Sequence, residues 1–230
     1  MRPIYYDTET TGTKSDKDRV IEIALFDPER DVAWSTFIQP GCPIPPDATA
    51  IHHITDEMVA AAPTFQEIVP QLIAFCEGDT VLLAHNNDQF DVLFLQQEFI
   101  RAGVPMPSWK YIDTLKWARR YRPDLPRHTL QFLREIYQIP PNQAHRALDD
   151  VKVLHCLFER MIDDLPIAQV YQLLNTKREM TRMPFGKHQG QPLGQVPSSY
   201  VRWLKENGAL DKPENQELRG AFEKLGLLSA

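Results

Sequence analysis

Cysteine is scarce in this chain. Cys42, Cys76 and Cys156 are odd in number, widely spaced and without a C-x-x-C pair, so neither a disulfide framework nor a zinc knuckle is indicated. They read as reduced, mostly packing residues. Long apolar runs are also missing: nothing approaches the ~20 residues that span a bilayer. Met1-Arg2-Pro3 leads directly into a strand with no signal-peptide pattern. These absences exclude a membrane-spanning or disulfide-stapled secreted protein, and the expected location is cytoplasmic. No internal repeat or low-complexity tract is present, which excludes solenoid and linker-like classes. Cationic charge is short overall, with a formal net charge of -6, which argues against bulk electrostatic binding of nucleic acid.

The mean conceals local contrast. From Lys110 to Arg134 seven basic residues face only Asp113 and Asp124, and from Thr176 to Lys205 six face only Glu179. Each stretch reads either as a solvated helix face or as a surface for a polyanion. With 43% hydrophobic and 24% charged residues, a 230-residue chain can bury a core as one ordinary domain with a small appendage.

Apolar and β-branched runs predict strands at Ile4 to Glu9, Val20 to Phe26 and Val32 to Ile38, whose short connections favour an antiparallel meander. Thr64 to Glu67 has the form of a capping box, with Ile68, Leu72 and Phe75 following at helical spacing and an end near Gly78. Val81 to Ala84 suits a buried strand, Val92, Leu95 and Phe99 mark a helix, and Tyr111-Ile112-Asp113 is a weaker strand. Leu148, Val151, Leu154, Phe158 and Met161 describe one more strong helix. The expected class is α/β, a mixed five-stranded sheet flanked by helices, over residues 1–164. Residues 165–182 read as a helical, basic linker and 183–230 as a small C-terminal module, with a helix capped by Ser198 or Ser199 and ended by Gly208.

Four acids are candidates for chemistry, or in the bland reading of Asp7 and Glu9 ordinary surface acids at a strand end. Asp7 and Glu9, two residues apart at the end of an apolar strand, project from one face, and Gly12 then allows a turn. Two like charges on one face repel unless a cation sits between them, and oxygen donors suit a divalent metal. Asp91 closes the segment His85-Asn86-Asn87-Asp88-Gln89-Phe90-Asp91 between a strand and a helix, where it reads as a third ligand or as a helix cap. In His145-Arg146-Ala147-Leu148-Asp149-Asp150 the helical phase puts Asp150 on the buried stripe and Asp149 outside. A buried carboxylate needs a partner, and a metal shared with Asp7 and Glu9 would serve.

These segments, in this order over residues 4–163, resemble the DnaQ-like 3'-5' exonucleases in their DEDDh branch. Asp7 and Glu9 match its first motif, Asp91 its second, and His145 with Asp150 its third. The second motif is one residue longer than in the replicative proofreading subunit and is more similar to the mammalian three-prime repair exonucleases. The resemblance implies an RNase H-like core and two Mg²⁺ or Mn²⁺ ions held by Asp7, Glu9, Asp91 and Asp150, with His145 as general base. It also implies contacts to the terminal nucleotide from Thr8, Thr10, Thr11, Gly12, Asn86 and His52.

The implied function is hydrolysis at DNA 3' ends, single-stranded or frayed, releasing nucleoside monophosphates in repair or proofreading. RNA 3'-end trimming, and a non-catalytic nucleic-acid-binding module on the same fold, are the alternatives. The segment from Met183 to Leu204 resembles the small C-terminal module of exonuclease X-like proteins. It is a candidate surface for a polymerase or repair partner, or for the DNA backbone through Lys187 and Arg202, with His188 and Trp203 as further candidates. For so small a module, Tyr200, Trp203 and Leu204 are expected to form the core.

Overall fold

The computed structural model describes residues 1–140, 147–176, 180–212 and 215–228. The chain divides into two compact units, Met1–Asn175 and Thr176–Ala230. Among the described residues no helix is long and apolar enough to cross a membrane.

The first unit is built on a five-stranded sheet of order β3-β2-β1-β4-β5. Its strands are β1 (Arg2–Thr10), β2 (Val20–Asp27), β3 (Val32–Phe37), β4 (Thr80–Ala84) and β5 (Lys110–Asp113). β1 to β3 form the antiparallel meander, and β4 and β5 add in parallel on the other side of β1. The sheet is therefore mixed, as expected.

Side chains of β1 alternate between two cores, as a period of two requires. Ile4 and Tyr6 pack with Leu82 and Ala84 against α3 (Phe65–Phe75) and α4 (Asp91–Ala102). Tyr5 packs with Leu83 and Ile112 against α7 (Ala147–Ile162). Asp7 and Glu9 continue the Tyr5 series, toward the helix that carries Asp150. Thr8 continues the other series, toward the helix that begins at Asp91.

The Thr64 capping box is present, its hydroxyl accepting from the Glu67 amide while the Glu67 carboxylate accepts from Thr64. Two short helices before it, α1 (Pro46–His52) and α2 (Asp56–Val59), have no counterpart in the sequence reading. They are one to two turns long and too short for an amphipathic period, and the Ile44 amide before α1 donates to the Asp56 carboxylate at the start of α2 at 3.0 Å. α5 (Thr114–Tyr121) and α6 (Leu130–Ile136) follow β5. α8 (Ile167–Asn175), placed in a linker by sequence, packs Val170 into the α7 side of the sheet and belongs to the first unit.

The second unit has a core of Met183, Leu193, Val196, Val201, Leu204, Leu210, Leu218 and Phe222. It contains α9 (Ser198–Glu206) and α10 (Gln216–Lys224). The residue preceding α9 is Pro197 and no side chain caps it, so neither Ser198 nor Ser199 has the expected role. Gly208, with φ of 67°, follows its end as expected. Trp203 departs from its expected place: it is 51% exposed, because Leu218 and Phe222 from α10 fill the core instead.

Candidate active site

Carboxylate oxygens of Asp7, Glu9 and Asp150 lie within 4.8 Å of one another, at the end of β1 and the first turn of α7. Asp150 is buried while Asp149 is less enclosed, as the helical phase predicts. Asp91 is buried at the start of α4, and its carboxylate accepts the Thr8 hydroxyl at 2.8 Å rather than capping the helix. β1 thus presents two acids on one face and clamps a third from the other.

The charges interact strongly. Burial pushes the Asp7 carboxyl well above the usual range, with Asp91, Glu9, Asp150 and Glu22 adding repulsion. Burial likewise raises Asp91, to about 7, against the opposing hydrogen bond from Thr8. An all-oxygen donor set whose members resist ionising together is chemically suited to hard divalent cations, which would offset that repulsion.

Two acids missing from the sequence reading help to build this arrangement. Glu22 pairs across the sheet with Glu9, is buried, and accepts the Ala147 amide at 3.3 Å, tying the start of α7 to β2. A glutamate inside the apolar run Val20-Ile21-Glu22-Ile23-Ala24 was the available signal. Asp113, at the end of β5, caps α5 through the amides of Leu115 and Lys116 at 2.9 and 3.3 Å. The same carboxylate accepts the amides of Asn86 and Asp88 at 3.1 and 3.2 Å, holding the loop that leads to Asp91.

That loop is otherwise pinned by its own motif residues. His85 donates from Nε2 to the His128 carbonyl at 2.8 Å, and its Nδ1 lies 2.9 Å from the Thr114 hydroxyl. Burial keeps this imidazole below its ordinary value. Asn86 adopts a left-handed conformation at φ 70°, and the side-chain amide oxygen Oδ1 of the buried Asn87 accepts the Tyr6 hydroxyl.

The remaining expected contacts are distributed around the end of β1 and beyond it. Thr10 donates to the Gly12 carbonyl at 2.6 Å, and the Thr11 hydroxyl accepts the Arg19 amide at 2.9 Å. A Cβ on Gly12 would sit 2.4 Å from the Asp18 carboxylate, so this turn admits only glycine without rearrangement. His52 is buried at the end of α1, where its Nδ1 accepts the Ile54 amide at 3.0 Å. Lys187 and Arg202 are exposed in the second unit. His145 lies outside the described residues.

The geometry can be compared with known proteins. A family model described as "Exonuclease" matches residues 4–158. This chain belongs to that exonuclease family. The family member's residues 170–216 also match a second model, described as "Putative quorum-sensing-regulated virulence factor".

Among relatives, the exonuclease chain is 44% identical over 162 residues to a DNA polymerase III subunit epsilon of Treponema pallidum, covering 68% of this chain and 74% of that one. It is 35% identical over 181 residues to a PolC-type DNA polymerase III of Clostridium perfringens, but spans only 12% of that protein and 76% of itself. Among solved structures, exonuclease X in complex with 5' overhanging duplex DNA aligns with a TM-score of 0.59 at 26% identity, over 75% of this chain and 99% of that one. E. coli exonuclease I with a dT13 oligonucleotide aligns with a TM-score of 0.65 over 76% of this chain and 44% of that one, and at 21% identity it speaks to the fold alone.

Proposed function

We propose that this exonuclease acts on DNA from the 3' end, releasing nucleoside monophosphates in proofreading or repair. The observation that carries the reading is the convergence of Asp7, Glu9 and Asp150 within 4.8 Å, with Asp91 clamped beside them by Thr8. Names of the relatives and structural neighbours support DNA as the polymer and a polymerase as the working context.

Asp7, Glu9, Asp91 and Asp150 would hold two Mg²⁺ or Mn²⁺ ions. Such a pair supplies charge stabilisation for both the attacking and the leaving oxygen of an in-line displacement at phosphorus. The chain's own residues then set position and protonation. Glu22 tethers the start of α7, which fixes Asp150 against β1, and Asp113 fixes the loop before Asp91. The turn at Gly12 keeps backbone close to the strand end, where a terminal nucleotide would lie. His145, two residues before α7, accepts the proton of the attacking water, a task suited to an imidazole that is neutral near physiological pH. The proton then passes to solvent, and the 3' oxygen of the penultimate nucleotide leaves.

The test is digestion of 5'-labelled single-stranded DNA, duplex DNA and RNA in Mg²⁺ or Mn²⁺ by wild type, Asp7→Asn and His145→Ala. Wild type should shorten DNA stepwise from the 3' end. Asp7→Asn should lose about a thousandfold in rate, equivalent to ~4 kcal/mol of transition-state stabilisation. Unchanged digestion by both variants overturns the assigned site, and digestion of RNA with DNA spared overturns the substrate.

A further inference from the structure

The second unit contains an aromatic arrangement that the hydrolytic site leaves unused. Tyr200 and Trp203 lie one turn apart on α9 with ring planes 15° apart and centroids 5.6 Å apart. The His188 ring meets Tyr200 edge-on at 4.6 Å, and a Cβ on Gly186 would sit 2.4 Å from the Tyr200 hydroxyl oxygen, so the turn Gly186–His188 is seated on Tyr200. This support immobilises the inner ring. Trp203 on the outside remains 51% exposed although the unit's core is filled without it.

A large aromatic ring left in water, and stiffened from beneath, is suited to stacking a planar group. The surroundings say which. Among the described residues from Met180 to Lys205 the charged side chains are Arg182, Lys187, Arg202 and Lys205, all exposed, with no acid between them, on a chain of net charge -6. Lys187 adjoins His188 in the seated turn, and Arg202 adjoins Trp203. Glu206, one turn beyond Trp203, bounds the cationic stretch on that side. Exposed indole, a supporting second ring and exposed cations close by in sequence are the elements that hold a flexible strand through its bases and phosphates.

We propose that the Trp203 face of the second unit is a stacking platform for single-stranded DNA, separate from the residues that hydrolyse it. The proposal rests on the DNA reading above and adds a second, non-catalytic contact to the same substrate. Its ring would take one unpaired base, and Lys187 and Arg202 would take neighbouring phosphates. Base-on-aromatic contacts of this kind are sequence-tolerant, as an enzyme acting on any end requires.

The test uses the full chain in EDTA, where hydrolysis is suppressed, and fluorescence anisotropy of labelled dT20. Trp203→Ala should weaken binding about tenfold, whereas Trp203→Phe, which keeps a ring, should stay within about twofold of wild type. Arg202→Ala should lower the slope of log affinity against log salt by about 0.7, one phosphate contact on a single strand. Thermal melting checks that each variant folds, and Arg202→Ala carries the test should Trp203→Ala fail to fold. Unchanged affinity in Trp203→Ala, equal loss in the alanine and phenylalanine variants, or an unchanged salt slope overturns the platform. Equal competition by rU20 overturns the assignment to DNA. Hydrolysis by wild type and Asp7→Asn is measured separately in Mg²⁺, so failure of the platform and failure of the hydrolytic reading are told apart.

Discussion

Replacing Asp91 with asparagine should flatten the pH dependence of stability in metal-free protein. Asparagine keeps an oxygen for the Thr8 hydroxyl, now 2.8 Å from Asp91, and removes only the charge. Asp91 is raised from the ordinary 3.8 to about 7 in the folded chain, so the folded state holds a proton that the unfolded state releases across that window. Its stabilising contribution is therefore full below the unfolded value and is lost as pH rises through 7. From pH 6 to pH 8 that loss is on the order of 1 kcal/mol. Asp7, raised in part by Asp91, declines in the same direction.

Two histidines oppose the trend. His85 and His155 are held low by burial, so the stability they contribute grows with pH up to the ordinary histidine range. Both remain in the variant, and the difference between wild type and Asp91→Asn cancels them. In EDTA, wild type should lose roughly 2–4 °C of Tm relative to Asp91→Asn between pH 6 and pH 8. Saturating Mg²⁺ should remove the difference in pH trend, since a bound cation favours the ionised carboxylate. Melting curves by circular dichroism measure this directly. Parallel pH trends for the two proteins in EDTA would refute the argument that these acids are strained by enclosure and by one another.

Two further predictions concern the acids that position the site. We predict that Glu22→Ala, which removes the acceptor for the Ala147 amide, lowers kcat about tenfold with little change in KM, while Glu22→Gln retains most of the rate. Equal effects of the two substitutions in steady-state kinetics would show that the tether to α7 is irrelevant. We also expect Asp113→Ala, which strips an acceptor from four amides, to cost about 2–4 kcal/mol in urea unfolding and to speed hydrogen exchange at Asn86 and Asp88. An unchanged unfolding midpoint would sink that account of the loop.

Much of the first unit could be read from the chain because its elements are long and periodic. β1 alternates cleanly, α7 keeps an apolar stripe that also phases Asp150, and the Thr64 box marks the start of α3. The carboxylates were legible for the same reason, being placed by strand and helix periods. Glu22 and Asp113 were passed over because their roles depend on partners far along the sequence, an amide at Ala147 and a loop at Asn86. In the second unit, α10 sets Leu218, Ala221 and Phe222 at helical spacing, but nothing in that spacing says that this stripe, and not Trp203, completes the core. Trp203 was accordingly assigned to a core that did not need it.

β1 draws its acidic partner from a distant part of the first unit: Asp7 lies on the first strand, whereas Asp150 is made only after all five strands. Domains tend to form from the N-terminus during synthesis, and contacts this distant in sequence close late. All five strands can therefore leave the ribosome before the third carboxylate does, and the cluster of Asp7, Glu9 and Asp150 closes only once α7 packs on the sheet.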